Sequence, residues 1–184
     1  MPQTDTPAAT VLDLDGDLTA TADGGWVIAF DRRIARPLQK VWAALTVPER
    51  IADWLGVATV DLRIGGVYHV AFHPTEDDPD SQIDGVITAL APPRVLEYRW
   101  RLPEGWDSSV RWELEPDGPA TRLRFTHLFP PEETRDLIGT VAGWHDFLNM
   151  IPSAADGVRA EWGVGWSEID AGYHAKLAGK GPRK

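Results

Sequence analysis

The sequence predicts an α+β domain in which a curved antiparallel sheet wraps around a long helix near the C-terminus. Two periodicities carry this prediction. From Val57 to Phe129, apolar and polar residues alternate in runs separated by Gly, Pro and Asp, which is typical of strands with one buried face. From Leu137 to Ile151, apolar residues recur at helical spacing, and a helix of this length can cross a sheet.

Turn residues divide the strand-like regions into hairpins. The runs Leu18–Ala22 and Trp26–Ala35 flank a Gly-Gly turn and predict a hairpin ahead of the main alternating region. Within that region, we expect one strand to cover Val60–Ile64 and to end at Gly65-Gly66. The last hairpin is expected to turn at Pro116–Gly118.

Two short helices are predicted between the first hairpin and the alternating region. Residues 38–45 follow a proline and place their apolar side chains at helical spacing. A second helix is expected directly afterwards, because Thr46 and Glu49 have the spacing of a capping box.

The long helix is expected to begin near Pro130, where acidic residues would occupy its first turn. Pro152 cannot donate a backbone hydrogen bond, so the helix is expected to kink or end there. A further helical pattern follows over residues 166–177.

The composition narrows the class of protein and of partner. We expect one domain over residues 10–184, preceded by a disordered tail over residues 1–9. The absence of Cys excludes disulfides and thiolate metal ligands. Together with the lack of a signal peptide or membrane span, it indicates a cytoplasmic protein.

The net charge of −10 disfavours nucleic acid and anionic membranes as partners. The exposed edges of the sheet could pair between two copies of the chain, so the sequence is compatible with a homodimer.

Short motifs over residues 26–157 have the order and approximate spacing of a known family. They are Arg32-x-Ile34-x-Arg36-Pro37, Val41-Trp42-x-x-Leu45-Thr46-x-Pro48-Glu49, Trp54-Leu55, Gly65-Gly66-x-Tyr68, Gly85-x-Ile87, Pro92-Pro93-x-x-Leu96-x-Tyr98-x-Trp100 and Gly143-Trp144-x-x-Phe147-Leu148. On these motifs the chain resembles the helix-grip fold of the START/Bet v 1-like (SRPBCC) superfamily. Within it, the chain is similar to the branch named after the C-terminal domain of the activator of Hsp90 ATPase.

The resemblance implies a hydrophobic cavity between the sheet and the long helix. Members of the superfamily hold lipids, polyketides or other apolar molecules there, but the fold implies no single activity. Pro152 and the segment 158–177 depart from the family pattern, and both are expected to reshape the mouth of the cavity.

Ten side chains are candidate ligand contacts, because their positions on the strands and helices point inward. Each one alone is more commonly a core residue, but together they exceed what a solid core needs, which favours a lined cavity. They are Trp54, Tyr68, Phe72, Tyr98, Trp100, Trp112, His127, Trp144, Leu148 and Ile151.

Three of these side chains carry polar groups that could orient a ligand: Tyr68, Tyr98 and His127. His127 could also exchange a proton near neutral pH. The favoured alternative is a His bonded to a neighbouring backbone group, because no carboxylate is clearly placed to orient its ring.

No metal site or cofactor is expected. His69 and His73 would stand ~13 Å apart on a strand, which is too far to share one ion. The motif Asp13-x-Asp15-Gly16-Asp17 is similar to the start of a calcium-binding loop. Its glycine is at the wrong position, however, and the final carboxylate of such a loop is missing. The acidic cluster 76–80 is expected to be a solvated loop, and the sequence has no P-loop or dinucleotide motif.

Three functions are compatible with these observations. The favoured one is a binding module that holds an apolar small molecule without reacting with it, because no acid–base pair emerges from the sequence. The second is an enzyme of the cyclase/aromatase kind, in which Tyr98 or His127 would steer enolate chemistry. The third is an Hsp90 co-chaperone-like interaction protein, which predicts association with a bacterial Hsp90.

Overall fold

The computed structural model describes residues 13–72, 81–101, 107–161, 163 and 165–182. It has one sheet of eight antiparallel strands and four helices within these ranges. In chain order they are β1 (Asp17–Ala20), β2 (Trp26–Ile34), α1 (Leu38–Thr46), α2 (Pro48–Ile51), β3 (Gly56–Val60), β4 (Val67–Phe72), β5 (Gln82–Ala91), β6 (Val95–Arg101), β7 (Asp107–Asp117), β8 (Ala120–Phe129), α3 (Leu137–Ala155) and α4 (Trp166–Lys176). The predicted tail over residues 1–9 and the acidic cluster 76–80 lie outside the described residues.

The strand order is β1-β2-β8-β7-β6-β5-β4-β3, so each strand lies beside a partner that runs in the opposite direction. Buried residues alternate with half-buried or exposed ones along β6, along residues 107–114 of β7 and along residues 121–129 of β8, as the sequence pattern predicts. Helix α3 packs against this inward face, and α1 and α2 close the space beside it. The prediction of an α+β helix-grip architecture is confirmed.

The first predicted hairpin is present, because β1 pairs with β2 across the Gly-containing turn. The predicted capping box is wrong. Helix α2 begins after Val47 without a side-chain cap, and Thr46 belongs to the last turn of α1. The Thr46 hydroxyl donates instead to the carbonyl oxygen of Trp42 at 2.8 Å, because residues four apart lie on the same helical face.

The strand predicted over 60–64 is also misplaced. Strand β3 ends at Val60, and the next residues turn, with the Arg63 N–H donating to the Asp61 carbonyl. Leu62 and Ile64 consequently face solvent, with 40% and 65% of their surface exposed. Their alternation reflects a turn on the rim of the sheet and not a buried strand face.

Helix α3 begins at Leu137 and not near Pro130. The side chain of Asp136 caps it by accepting hydrogen bonds from the N–H groups of Ile138 and Gly139. The preceding segment turns around Glu133, whose buried carboxylate accepts hydrogen bonds from the backbone and side chain of Arg135. The acidic residues that suggested the start of a helix therefore belong to a turn before α3.

Pro152 does not end α3, contrary to one of the two expected outcomes. The last turn is held by packing, because Ile151, Ala154 and Ala155 are buried. Asp156 follows this turn and forms ion pairs with Arg36 and Lys40 of the α1 region. These contacts offset the one backbone hydrogen bond that the proline lacks. Among the described residues, no helix is both long and apolar enough to cross a bilayer.

A cluster of polar side chains fastens the N-terminal segment and α4 to α3. Arg32 on β2 donates to both carboxylate oxygens of Asp15, at 2.6 and 2.7 Å. Tyr173 on α4 accepts from the Gly16 N–H at 2.8 Å, and its oxygen lies 2.8 Å from Nδ1 of His145 on α3. This cluster holds α4, which lies within the segment 158–177, against α3.

Burial raises the pKa of Asp15, but hydrogen bonds from His145 and Arg32, with the charge of Arg32, lower it overall to well below its usual value of 3.8. The folded state therefore holds the carboxylate ionised at pH values where the unfolded chain takes up a proton. The stabilisation from Asp15 is complete above about pH 5 and is lost as the pH falls below about 4.

We expect Asp15→Asn to lower the free energy of unfolding by about 2 kcal/mol at pH 7, because the half-buried Arg32 loses a charged acceptor. Between about pH 5 and pH 3, the free energy of unfolding of the variant should decrease less than that of the wild type. Urea unfolding at several pH values measures both effects. Asp31→Asn, which removes an exposed partner of Arg122, is the matched control and should cost less than about 1 kcal/mol. Equal losses in the two variants would contradict the role of the Asp15 cluster.

Candidate functional site

A pocket of about 120 Å³ lies between the inner face of the sheet and the N-terminal half of α3. We call it the α3 pocket. Its lining comes from β6, β8, the segment before α3, and one face of α3: Trp100, His127, Phe129, Arg135, Thr140, Gly143, Trp144 and Phe147. The four residues from α3 share a face because they are spaced by about one helical turn.

Three of the ten predicted ligand contacts line the α3 pocket: Trp100, His127 and Trp144. They meet in an aromatic corner, with the rings of Trp100 and Trp144 centred 5.0 Å apart at 64°. The His127 ring lies 5.4 Å from that of Trp100. The structure therefore brings together predicted contacts from β6, β8 and α3 at this pocket.

The other seven predicted contacts do not line this pocket. Trp54 and Trp112 meet edge to face at 6.0 Å, and Tyr68 stacks on Tyr98 at 4.0 Å, all four fully buried. Leu148 and Ile151 are buried farther along α3. Phe72 is half-buried, with its ring 5.7 Å from that of Trp100. These side chains form a solid core beside the α3 pocket.

His127 is held by a chain of hydrogen bonds at the floor of the pocket. Its Nδ1 accepts from the indole N–H of Trp144 at 3.0 Å, and its Nε2 lies 2.7 Å from Oγ of Ser108. The Ser108 hydroxyl donates to the carbonyl oxygen of Trp100 at 3.1 Å. Since that hydroxyl has only one proton, Nε2 of His127 must donate to Ser108, which assigns the neutral Nε2–H tautomer. The bonding partners are side chains and not the backbone group that the sequence favoured.

The surroundings of His127 favour its neutral form. Burial lowers the pKa of the imidazole well below its usual value of 6.5, and the positive charge of Arg135 lowers it further. Both ring nitrogens already have partners in the folded protein. In the folded protein His127 is therefore a neutral side chain in the wall of the pocket.

Tyr68 and Tyr98 are likewise committed within the core. The Tyr68 hydroxyl donates to the carbonyl oxygen of Leu45 at 2.9 Å, and the Tyr98 oxygen accepts from the indole N–H of Trp112 at 3.3 Å. Burial raises the pKa of both phenols above the usual value of 10.0, so both stay protonated. Neither lies on the α3 pocket, so neither orients a ligand there.

The rim of the α3 pocket carries its polar groups. The side chain of Arg135 is about a third exposed, and its Nη2 donates to the buried carboxylate of Glu133 at 2.7 Å. Arg135 also lies over the Phe129 ring, 5.9 Å from its centre. The hydroxyl of Thr140 donates to the Asp136 carbonyl at 3.0 Å, which leaves its oxygen able to accept.

Five lining residues were not among the predicted contacts: Phe129, Arg135, Thr140, Gly143 and Phe147. Two of them had a signal in the sequence. Phe129 shares the strand parity of His127, and Phe147 follows Trp144 at helical spacing. Arg135 was assigned to a helical turn that does not form, so its place at the rim could not be inferred.

A larger depression, of about 690 Å³, lies at the β2–β7–β8 surface and is polar. Its charged side chains are largely paired with one another: Arg33 with Asp117 at 2.6 Å, and Arg122 with Asp31 at 2.5 Å. This depression is wide, and its charged side chains form ion pairs with one another. We therefore interpret it as ordinary protein surface and not as a ligand site.

Within the described ranges, no group of three His, Asp or Glu side chains could hold a metal ion. Asp15, from the calcium-loop-like motif, forms an ion pair with Arg32. His69 lies 2.8 Å from the carboxylate of Asp84 on the neighbouring strand, and His73 is outside the described residues.

The antiparallel sheet wrapped around α3 defines the class of protein, a helix-grip protein. The family model described as "Activator of Hsp90 ATPase homolog 1-like protein" matches residues 35–156. The match covers more than half of the chain, so the protein belongs to this family. A comparison with curated protein sequences gave no match.

Solved structures with the same fold come from several bacteria. CalU16 from Micromonospora echinospora superposes with a TM-score of 0.66 at 23% identity, covering 89% of this chain and 93% of that one. A conserved protein of unknown function from Enterococcus faecalis gives 0.68 at 19%, covering 89% and 91%. DynU16, from the dynemicin biosynthetic locus, gives 0.65 at 23%, covering 74% and 49%. These likenesses establish the fold.

We predict that His127 stays neutral, in the Nε2–H tautomer, at pH 6. Burial and Arg135 depress its pKa, whereas the unfolded chain takes up a proton near pH 6.5. The contribution of His127 to stability is therefore complete above about pH 7 and is lost as the pH falls through the range below 6.5. Long-range ¹H–¹⁵N spectra of the imidazole identify the tautomer directly. A doubly protonated ring at pH 6 would contradict the assigned hydrogen-bond chain.

Proposed function

We propose that this protein binds a hydrophobic small molecule in the α3 pocket and that binding, without chemistry, is its role there. The observation that carries the proposal is a concave site walled by aromatic rings, in which the polar atoms of the inner wall are already paired. Burying apolar surface against such walls stabilises a complex by roughly 25 cal/mol per Å² before the costs of association. The candidate ligands are lipids, polyketides and aromatic compounds.

The hydrogen bonds of the pocket support binding over catalysis. A general acid or base must reach a substrate proton with an available atom. His127 uses both nitrogens, and the phenols of Tyr68 and Tyr98 lie in the adjacent core. The cyclase-like alternative would need one of these groups to break its bond and turn into the pocket.

Gly143 allows the site to be closed without disturbing the fold. It lies inside α3 on the pocket face, and a Cβ added there meets no heavy atom of the described residues within 4 Å. Both Ala and Leu have a higher helix propensity than Gly, so neither substitution weakens the helix.

We predict that Gly143→Leu fills the α3 pocket and abolishes ligand binding, while Gly143→Ala retains it. Gly143→Ala should raise the free energy of unfolding by about 0.5–1 kcal/mol, because glycine costs entropy in a helix interior. Native mass spectrometry with organic extraction identifies co-purifying molecules. A thermal-shift screen of fatty acids, sterols and aromatic polyketides then compares the wild type with both variants.

The matched pair separates binding in the α3 pocket from binding elsewhere. A ligand that raises the melting temperature of the wild type and of Gly143→Ala, but not of Gly143→Leu, supports the proposal. A ligand that shifts all three proteins equally would place the site elsewhere. No ligand across extraction and screen would remove the support for a binding role.

A further inference from the structure

The two edges of the sheet differ in what lies beside them. At the β1 edge, Lys176 donates to the carbonyl oxygen of Gly16 at 2.8 Å, and Lys180 forms an ion pair with Asp17 at 2.9 Å. Strand β3 forms the other edge, and in the part of the chain that the structure describes no strand pairs with it on the side away from β4. The β3 edge is therefore the side of the sheet at which a further strand can be added.

Alternate residues of β3 direct their backbone groups away from β4. The Asp61 N–H donates to the carbonyl oxygen of Val67 at 2.8 Å, so the odd-numbered residues of β3 are the ones bonded to β4. Gly56, Ala58 and Val60 consequently direct their N–H and C=O groups outward from the sheet. These groups form a hydrogen-bonding edge for a neighbouring strand.

The charges around β3 do not oppose pairing of two copies, although the chain has a net charge of −10. The strand reads Gly-Val-Ala-Thr-Val, without the charged residues or prolines that block edge pairing. Before it, Arg50 and Asp53 form an ion pair at 3.7 Å, and after it Arg63 and Asp61 form one at 2.7 Å. An antiparallel neighbour of the same sequence would bring one of these ends beside the other, so that each positive side chain meets a negative one.

Apolar side chains are exposed on β3 and beside it. Val57 lies on the outer face of the strand with 67% of its surface exposed, and Leu62 and Ile64 are exposed in the turn that follows. Val67 on β4 and Val86 on β5 form an exposed cross-strand pair on the same outer face. Covering such side chains with protein surface is favourable, and exposed apolar patches commonly mark interfaces.

The geometry points to a homodimer in which the β3 strands of two copies pair antiparallel across a two-fold axis at Ala58. In this register Ala58 lies opposite Ala58 of the second copy, and Gly56 lies opposite Val60. All three residues direct their backbone groups outward, so the three pairs form about six hydrogen bonds. A register shifted by one residue would instead oppose these groups to residues that are already bonded to β4.

The mass of the full-length protein in solution tests the dimer. Light scattering after size exclusion, from about 1 μM to 1 mM, should give a mass that rises towards twice the chain mass of 20.3 kDa. Ala58→Pro removes an N–H that points outward and keeps the bonds to β4, as prolines in edge strands do. We expect this variant to remain at 20.3 kDa at every concentration.

Ala20→Pro is the matched control at the opposite edge. The Thr21 N–H donates to the Gly25 carbonyl at 2.9 Å, so the N–H of Ala20 points away from β2, as that of Ala58 points away from β4. The control should form the dimer as the wild type does. Loss of the dimer in both proline variants would contradict the assignment to β3.

Val57→Lys tests the same interface without a proline, in case Ala58→Pro does not fold by circular dichroism. The side chain is exposed in the single chain, so the fold tolerates the charge. In the dimer the two introduced lysines lie diagonally across the strands, about 7–8 Å apart, and repel each other. The dissociation constant of the dimer should rise about ten-fold or more at low salt.

Cross-linking tests the register, because the chain contains no native Cys. Val57 lies directly opposite Thr59 of the second copy in a non-hydrogen-bonded pair, with Cα atoms about 4.5 Å apart, which is within disulfide range. An oxidised mixture of Val57→Cys and Thr59→Cys should therefore yield a disulfide between the two variants and little within either one. A wild type that stays monomeric over the whole concentration range, or equal cross-linking within and between the variants, would overturn the proposal.

Discussion

The hydrogen bond from the indole of Trp144 to Nδ1 of His127 decides how α3 lies on the sheet. Both side chains are buried, so a helix shifted along its axis would leave an indole N–H and an imidazole nitrogen unpaired, at a cost of about 1–3 kcal/mol for each group. Ser108 completes the arrangement from β7 and fixes the tautomer of the ring. With α3 held in this position, Thr140, Gly143 and Phe147 necessarily lie over the pocket.

The interior of the protein is densely packed on one side of Trp144 and contains the α3 pocket on the other side. Beyond it, Trp54 donates to the Ala44 carbonyl and Tyr68 to the Leu45 carbonyl, so α1 is bonded to the core rings. Towards the start of α3, the absence of a side chain at Gly143 leaves space that none of the residues described by the structure fills. Gly143 therefore contributes to the α3 pocket by leaving part of its α3 wall without a side chain.

The fold could be predicted from the sequence because strand and helix periodicities are local. The alternation of β6, β7 and β8 and the stripe of α3 each follow from one face being buried. The start of α3 was missed because Glu132 and Glu133 resemble a first turn, whereas Asp136 supplies the cap. The site was only partly predictable, because parity says that Trp112 and Trp100 both point inward but not which one borders empty space. That distinction depends on long-range packing, as does the diagonal contact of Ser108 with His127.

The indole N–H resonances of the tryptophans show directly whether a ligand binds in the α3 pocket. ¹H–¹⁵N spectra, assigned with single Trp→Phe variants, would be recorded during titration with benzamide, a neutral probe. We expect the Trp144 and Trp100 signals to shift with ligand concentration, while the Trp54 and Trp112 signals stay in place. Shifts of Trp54 and Trp112 without Trp144, or a spectrum unchanged by any apolar ligand that binds, would contradict ligand binding in the α3 pocket.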